Sequence, residues 1–330
     1  MPTFAILGSG GWGTALAILL AQKAGHAVRL WCARTETAEE LLRHRENKRQ
    51  LPGAAIPQNV LITADIKEAI AGADAWIVAI PTAFLRSTIR RFHGLTPAPI
   101  ISLTKGLEIA TFQRPTQILA EELGATKFAV LSGPSHAEEV ACSQPTSLVA
   151  ASADAEFARW VQRHLGGDRF RIYTSPDLVG VELAGALKNV MGIAAGICDG
   201  LGFGDNAKSA LLTRGLVEMQ RFGVAHGADP ATFGGLAGLG DLITTCFSKH
   251  GRNRRAGERI ARGATLEEAM AGPQVAEGIF TTKSVHERAI AANLDSPIFA
   301  GVYRILYEGR PARDAVEDLL GRPPKPELAT

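Results

Sequence analysis

Hydrophobic and polar positions divide the chain into two styles. Up to about residue 175, short apolar runs alternate with glycine and proline breaks; beyond it, longer stretches carry apolar residues at helical spacing. The run at 3–7 (TFAIL) has the uninterrupted apolar character of a strand buried on both faces. Gly8-Ser9-Gly10-Gly11-Trp12-Gly13 follows at once, and the Ala- and Leu-rich stretch after it predicts a helix stopped at Gly25. A second apolar run at 27–32 completes strand, glycine turn, helix and strand. That succession is a βαβ unit, whose crossover is right-handed and parallel. Further strands are expected at 74–81, 99–106, 127–132, 147–152 and 169–175, with a helix near 83–93.

After Ser175-Pro176-Asp177 the period lengthens. Helices are expected at 179–200 and 206–227, at the capping box Thr265-Leu266-Glu267-Glu268, and in three later segments near 281–294, 298–309 and 311–321. The pattern therefore predicts an α/β protein: an N-terminal Rossmann-like doubly wound sheet over 1–178 and an all-helical C-terminal domain over 179–330.

The glycine turn adds chemistry to that outline. Gly8, Gly10 and Gly13 match G-x-G-x-x-G: the first for the tight turn, the second for close approach of a pyrophosphate, the third for helix–strand packing. The helix N-terminus behind them offers free N–H groups to phosphate. At the end of the second strand, Arg34 stands where a 2′-phosphate is accommodated, so NADP(H) is tolerated, while Glu36 leaves NAD(H) open. Arg34 as a plain surface charge is the competing reading. Ligands of open α/β sheets lie outside the carboxyl ends of the strands. The 8–13 loop, Pro81, Lys105 and the 132–136 loop all fall on that edge.

Composition narrows the function. Hydrophobic residues are 46% of 330, enough for a full core, which excludes disorder as the main state. The 35 Lys and Arg against 33 Asp and Glu leave +2, so no nucleic-acid footprint is expected and any anion site is local. Cys32, Cys142, Cys198 and Cys246 lie far apart without metal-ligand spacing, so neither a metal site nor a disulfide framework is expected. No signal-peptide pattern and no membrane span are expected, since the most apolar stretch, 183–197, contains Lys188 and Asn189. A cytoplasmic protein follows as the expectation, and a homodimer is compatible with it.

Lys188 is the strongest clue in the second half. A lysine buried in an apolar helix loses basicity and can exchange a proton near pH 7. Glu182, Lys188 and Asn189 do not form one solvent stripe, which favours burial over a surface position. Asp241, ending the glycine-rich Gly238-Leu239-Gly240-Asp241, is a candidate partner for that lysine, or else the N-cap of the following helix. The segment Lys249-His250-Gly251-Arg252-Asn253-Arg254-Arg255 has the cations and amide suited to one small phosphate dianion.

In this order the motifs resemble those of the bacterial NAD(P)-dependent glycerol-3-phosphate dehydrogenases. GSGGWGTALA at 8–17, ENKRQLPG at 46–53, SLTKGLE at 102–108 and SGPSHAEEV at 132–140 carry the resemblance in the first half. The ELAGALKNVMGIAAG stretch from 182, the GLAGLGDLITTC run ending at Cys246, RNRRAG at 252–257 and VAEGIFTTKSV at 275–285 carry it to the end. The resemblance implies an active site between the domains and interconversion of dihydroxyacetone phosphate and sn-glycerol 3-phosphate for glycerophospholipid synthesis. It implies Lys188 as catalytic proton donor or acceptor, and Lys105 touching both substrate and cofactor. Gly133, Ser135, Asp241, Arg252 and Asn253 would be substrate-binding, Arg252 serving the cofactor too. Gly11, Trp12, Arg34, Ala137, Val275 and Glu277 would contact NADP(H) or NAD(H), beside the glycines of the turn. The chain departs from the family pattern at Gly11, Ala33, Gln50 and Gly251, where many members have Ser, His, Tyr and Ser, which leaves the cofactor preference open. A dehydrogenase of the 3-hydroxyacid or 6-phosphogluconate type is the nearest rival, and a redox-sensing NADP-binding regulator is the rival of another class.

Overall fold

The computed structural model describes residues 1–109, 111–248, 251–271, 276–324 and 326–327. Among the described residues ten strands are formed: β1 Thr3–Leu7, β2 Ala27–Trp31, β3 Glu46–Asn47, β4 Leu51–Ala55, β5 Val60–Thr63, β6 Ala75–Val78, β7 Ile100–Ser102, β8 Phe128–Ser132, β9 Thr146–Ala151 and β10 Phe170–Ser175. Eight of them make one sheet in the order β10-β9-β8-β7-β6-β1-β2-β5, and β3 pairs with β4 beside it. Neighbours in the large sheet run parallel, as at Ile6 between Leu30 and Ile77, except for the antiparallel pair β8 and β9.

Both faces of this sheet are covered. Phe4, Ile6, Leu30 and Ile77 point into one core, while Ala5, Leu7, Trp31 and Trp76 point into the other. A strand buried on both sides loses the polar–apolar alternation, which is why β1 and β6 read as continuous apolar runs.

Several elements fall where the hydrophobic pattern predicts none: the helices Thr35–His44, Pro115–Leu123 and Ala155–Leu165, the strand β5 and the hairpin β3–β4. The strands β3 and β5 hold two and four residues, too few for a period to show.

The second half is helical from Leu178 onward. Asp177 opens the helix Leu178–Gly200 by accepting from the Gly180 N–H at 2.8 Å. Around this 23-residue helix pack Asp205–Ala225, Asp241–Phe247, Arg252–Ala261, Glu277–Ala291 and Pro297–Tyr307. Small residues let two of these helices nearly touch: a Cβ at Gly196 would collide with the Arg254 carbonyl, and one at Gly257 with that of Ile193. Contrary to the expectation that no stretch reaches membrane-spanning length, Leu178–Gly200 is long and apolar enough to cross a bilayer. Its apolar window is 89% buried inside the protein, however, which makes it a core helix. The four cysteines are unpaired thiols.

Candidate active site

The glycine turn links β1 to the helix Gly11–Ala21. Gly8 takes φ +117°, and a Cβ there would stand 2.7 Å from the Ala79 carbonyl oxygen; a Cβ on Gly13 would strike the Gly8 carbonyl. Gly10 precedes the helix with no side-chain cap of its own, so apart from the Gly11 N–H the first turn keeps its donors for another partner. The Gly11 N–H is taken by Gln50 Oε1 at 3.1 Å, a neutral acceptor at a place that attracts anions. Trp12 is half-buried and packs edge-to-face with Phe170, and Ala137, the first residue of the helix Ala137–Ala141, lies beside Gly11. Arg34 is exposed just beyond β2, where it precedes the helix Thr35–His44. A backbone cradle that side chains would fill, a helix start with open donors and a cation beyond β2 together fit a dinucleotide.

A second group is built around one carboxylate. Asp241 lies in the first turn of its helix, 3% exposed, and caps nothing; the N-cap alternative is therefore wrong. Its Oδ2 accepts from Lys105 Nζ at 2.6 Å and its Oδ1 lies 3.3 Å from Lys188 Nζ. Lys188 also donates to Thr245 Oγ1 at 2.7 Å, and Lys105 to the Gly133 carbonyl at 3.3 Å. The Ser135 hydroxyl donates to that same carbonyl at 2.9 Å. Gly133 itself takes φ +139°, with no room for a Cβ against Leu148.

The charges set one another. Burial drives the Lys188 amine down to about 8; Asp241 opposes the shift, and Lys105 and Arg252 add to it. Burial pushes the Asp241 carboxyl up, yet the two ammonium groups outweigh that cost and hold it below the ordinary range. An amine near 8 is matched to general acid–base work at neutral pH. The neighbouring Cys246 thiol is pushed up to about 12 by burial, which removes it as a nucleophile.

Arg252 is exposed, forms no ion pair with any described residue, and its charge is felt by both Lys188 and Glu277. Glu277 accepts from the Thr82 N–H at 3.2 Å across the two halves, its carboxyl raised by burial against the pull of Arg252. Asn253 is buried, donating to Asn189 Oδ1 and accepting from the Gly278 N–H, both at 2.9 Å. The expectation that the whole basic segment serves a phosphate needs correction. Arg254 is committed to Asp199 and to the Ser248 carbonyl, since the close helix packing leaves its guanidinium beside that buried-side carboxylate. Lys249 and His250 lie outside the described residues, as does Val275.

The fold thus brings Lys105, Gly133, Ser135, Lys188 and Asp241 into one hydrogen-bonded group, with Arg252, Asn253 and Glu277 next to it. Arg34 stands apart, beyond β2. Sequence reasoning missed Thr245 and Asn189. Thr245 follows Asp241 by four positions, and so shares its helix face, which was a usable signal.

A dinucleotide cradle on a parallel sheet, faced by a helical half that presents a lysine of lowered basicity, defines a two-domain nicotinamide-nucleotide-dependent oxidoreductase. Residues 3–158 match the family described as NAD-dependent glycerol-3-phosphate dehydrogenase N-terminus, and residues 177–317 its C-terminus. The chain belongs to this family. A glycerol-3-phosphate dehydrogenase [NAD(P)+] of Chlorobium limicola is 46% identical over 98% of this chain and 99% of its own. A second such enzyme, from Salinibacter ruber, is 47% identical over 98% of this chain and 95% of its own. The crystal structure of glycerol-3-phosphate dehydrogenase from Coxiella burnetii superposes with a TM-score of 0.93 at 40% identity, covering 97% of this chain and 99% of that one. D-mandelate dehydrogenase, at 12% identity and a TM-score of 0.64, shares the fold alone.

Proposed function

We propose that the protein interconverts dihydroxyacetone phosphate and sn-glycerol 3-phosphate with NADP(H) or NAD(H), and so supplies glycerophospholipid synthesis. One observation carries the reading: two ammonium groups, one from each half of the chain, share a single buried carboxylate. Gly8, Gly10, Gly11, Trp12, Gly13, Arg34, Ala137, Val275 and Glu277 would hold the dinucleotide, joined by Lys105 and Arg252. When bound, the reduced nicotinamide supplies a hydride.

Lys188 donates its proton to the substrate carbonyl oxygen as negative charge develops there, and leaves as a neutral amine that solvent reprotonates. In the reverse direction the neutral amine accepts the proton from the hydroxyl. Asp241 keeps both lysines in place and makes the charged form of Lys188 accessible despite burial. Lys105 stabilises the developing oxyanion. Arg252 and Asn253 hold the phosphate, and Ser135 with Gly133 shapes the adjoining loop. The same reading divides the chain at residue 178 into a nucleotide-binding and a catalytic domain, acting in the cytoplasm on a small molecule, with a homodimer as the candidate assembly.

The decisive test is Lys188→Ala, assayed by nucleotide oxidation with dihydroxyacetone phosphate. Turnover should fall by about 10²–10⁴, the usual share of general acid–base catalysis, with nucleotide binding retained. Near-normal turnover in a folded variant overturns the assignment.

A further inference from the structure

The mechanism leaves one buried charge unused. Glu182 sits on the same helix as Lys188, 3% exposed, in a stretch that is otherwise almost wholly apolar. A carboxylate in such a place is destabilising unless its geometry is well satisfied. Here the partners all come from the nucleotide-binding half. Glu182 accepts from the Thr116 N–H at 2.9 Å and the Thr116 hydroxyl at 2.7 Å, and pairs with the Arg114 guanidinium.

These partners belong to the stretch of chain that carries Lys105. Glu108 and Gln113 are anchored from the other side by Arg86, whose guanidinium meets Glu108 at 2.8 and 2.9 Å. Three positions along the helix from Glu182 comes Gly185, and the Lys105 stem lies over it. Lys105 Cγ and Cδ are 3.5 and 3.7 Å from where a Gly185 Cβ would stand. Three positions further comes Lys188. Residues 182, 185 and 188 thus form one i, i+3 ridge, spanning about 9 Å of helix, along which the Lys105 segment is laid. Its far end is the shared carboxylate of Asp241, where the two ammonium groups meet.

We propose that Glu182 is a positioning residue: its grip on Arg114 and Thr116 sets the placement of Lys105 relative to Lys188 on Asp241. It touches neither substrate nor nucleotide, and it works through the register of two segments from different halves of the molecule. Its consequence for turnover rests on the reading of Lys188 as proton donor, so the test reads placement and turnover separately.

The charged groups bearing on Lys188 are Asp241, Lys105 and Arg252, with His136 and Glu277 beside them. If Lys105 is let go from Asp241, Lys188 loses a repelling neighbour and gains the whole carboxylate, so it must titrate higher. In Glu182→Gln, pH-dependent labelling of the Lys188 amine, read by peptide mass spectrometry, should move up by at least half a pH unit. Turnover at pH 7 should fall about tenfold, in line with a misplacement of under 1 Å. Glu182→Asp, which keeps the charge, should recover part of both. An unmoved Lys188 titration overturns the proposal, whether or not turnover drops, because a purely structural carboxylate would lower thermal stability without altering that titration. A moved titration with unchanged turnover upholds Glu182 and instead removes Lys188 as proton donor. If Glu182→Gln does not fold, Thr116→Val, which removes one hydroxyl and leaves the ion pair, decides it: a smaller upward shift supports the proposal and none overturns it.

Discussion

The glycine turn and the lysine cluster are made in opposite ways. The turn is six consecutive residues whose chemistry is backbone: N–H groups at a helix start and space created by missing Cβ atoms. The cluster gathers Lys105, Lys188 and Asp241 from segments up to 136 positions apart, and its chemistry is buried charge. A site made of backbone tolerates changes of charge nearby and fails when its space is filled. A site made of buried charge tolerates small changes of shape and fails when one partner is removed, because an uncompensated charge remains.

That contrast can be broken most sharply at Asp241. Asp241→Asn should lower turnover roughly 100-fold, within the range for a disrupted acid–base group, and bring the fall of the reductive rate at high pH to lower pH. Steady-state kinetics across pH 6–10 checks it; an unchanged profile means that the carboxylate does not tune Lys188. Next in size, Arg252→Glu places a negative charge where the phosphate is proposed to sit, and the KM for dihydroxyacetone phosphate should rise about 30-fold, the order of 2 kcal/mol. Should the nucleotide KM alone rise, Arg252 belongs to the cofactor side of the comparison. Gly13→Ala tests the glycine turn: the added methyl meets the Gly8 carbonyl, so the KM for nucleotide should rise at least tenfold, seen equally by fluorescence titration.

The wild-type protein offers a gentler measurement. With the Lys188 amine drawn down to about 8, carbonyl reduction by the proposed mechanism requires the protonated amine and should fall as pH rises through 8. Oxidation of the alcohol requires the neutral amine and should rise through the same pH. Coincident limbs of opposite sign support one group in both roles, whereas two separate values assign the proton to different residues. The smallest effect is expected from Arg34→Ala, an exposed side chain: about a fivefold loss in NADPH affinity, with NADH unaffected, as fits a surface charge contact of under about 1 kcal/mol. Equal losses for both nucleotides place Arg34 away from the 2′-phosphate.

Much of this was legible in the residues, unevenly so. The doubly wound sheet follows from β1, β2 and β6 as apolar runs punctuated by glycine and proline, because burial on both faces erases polarity along a strand. Lys188 is conspicuous because a charge inside an apolar helix is costly wherever that helix ends up. Arg254 misled, since a row of cations looks alike whether each one faces a ligand or an internal carboxylate such as Asp199. Thr245 stayed hidden because its residue type is common; Glu182 stood out as a polar position in the apolar helix, but its partners Arg114 and Thr116 lie far off in the chain and could not be read from it.

Local chemistry along the chain determined most of the element types, the two-part organisation, the glycine turn and the presence of an amine forced to become less basic. Tertiary packing decided which carboxylate that amine meets, that a second lysine shares it, and which arginine stays available for an anion. The physical reason is range. Backbone preference and hydrophobic period act over a few residues, whereas the strength of a buried charge is set by whatever the fold places within a few ångströms of it.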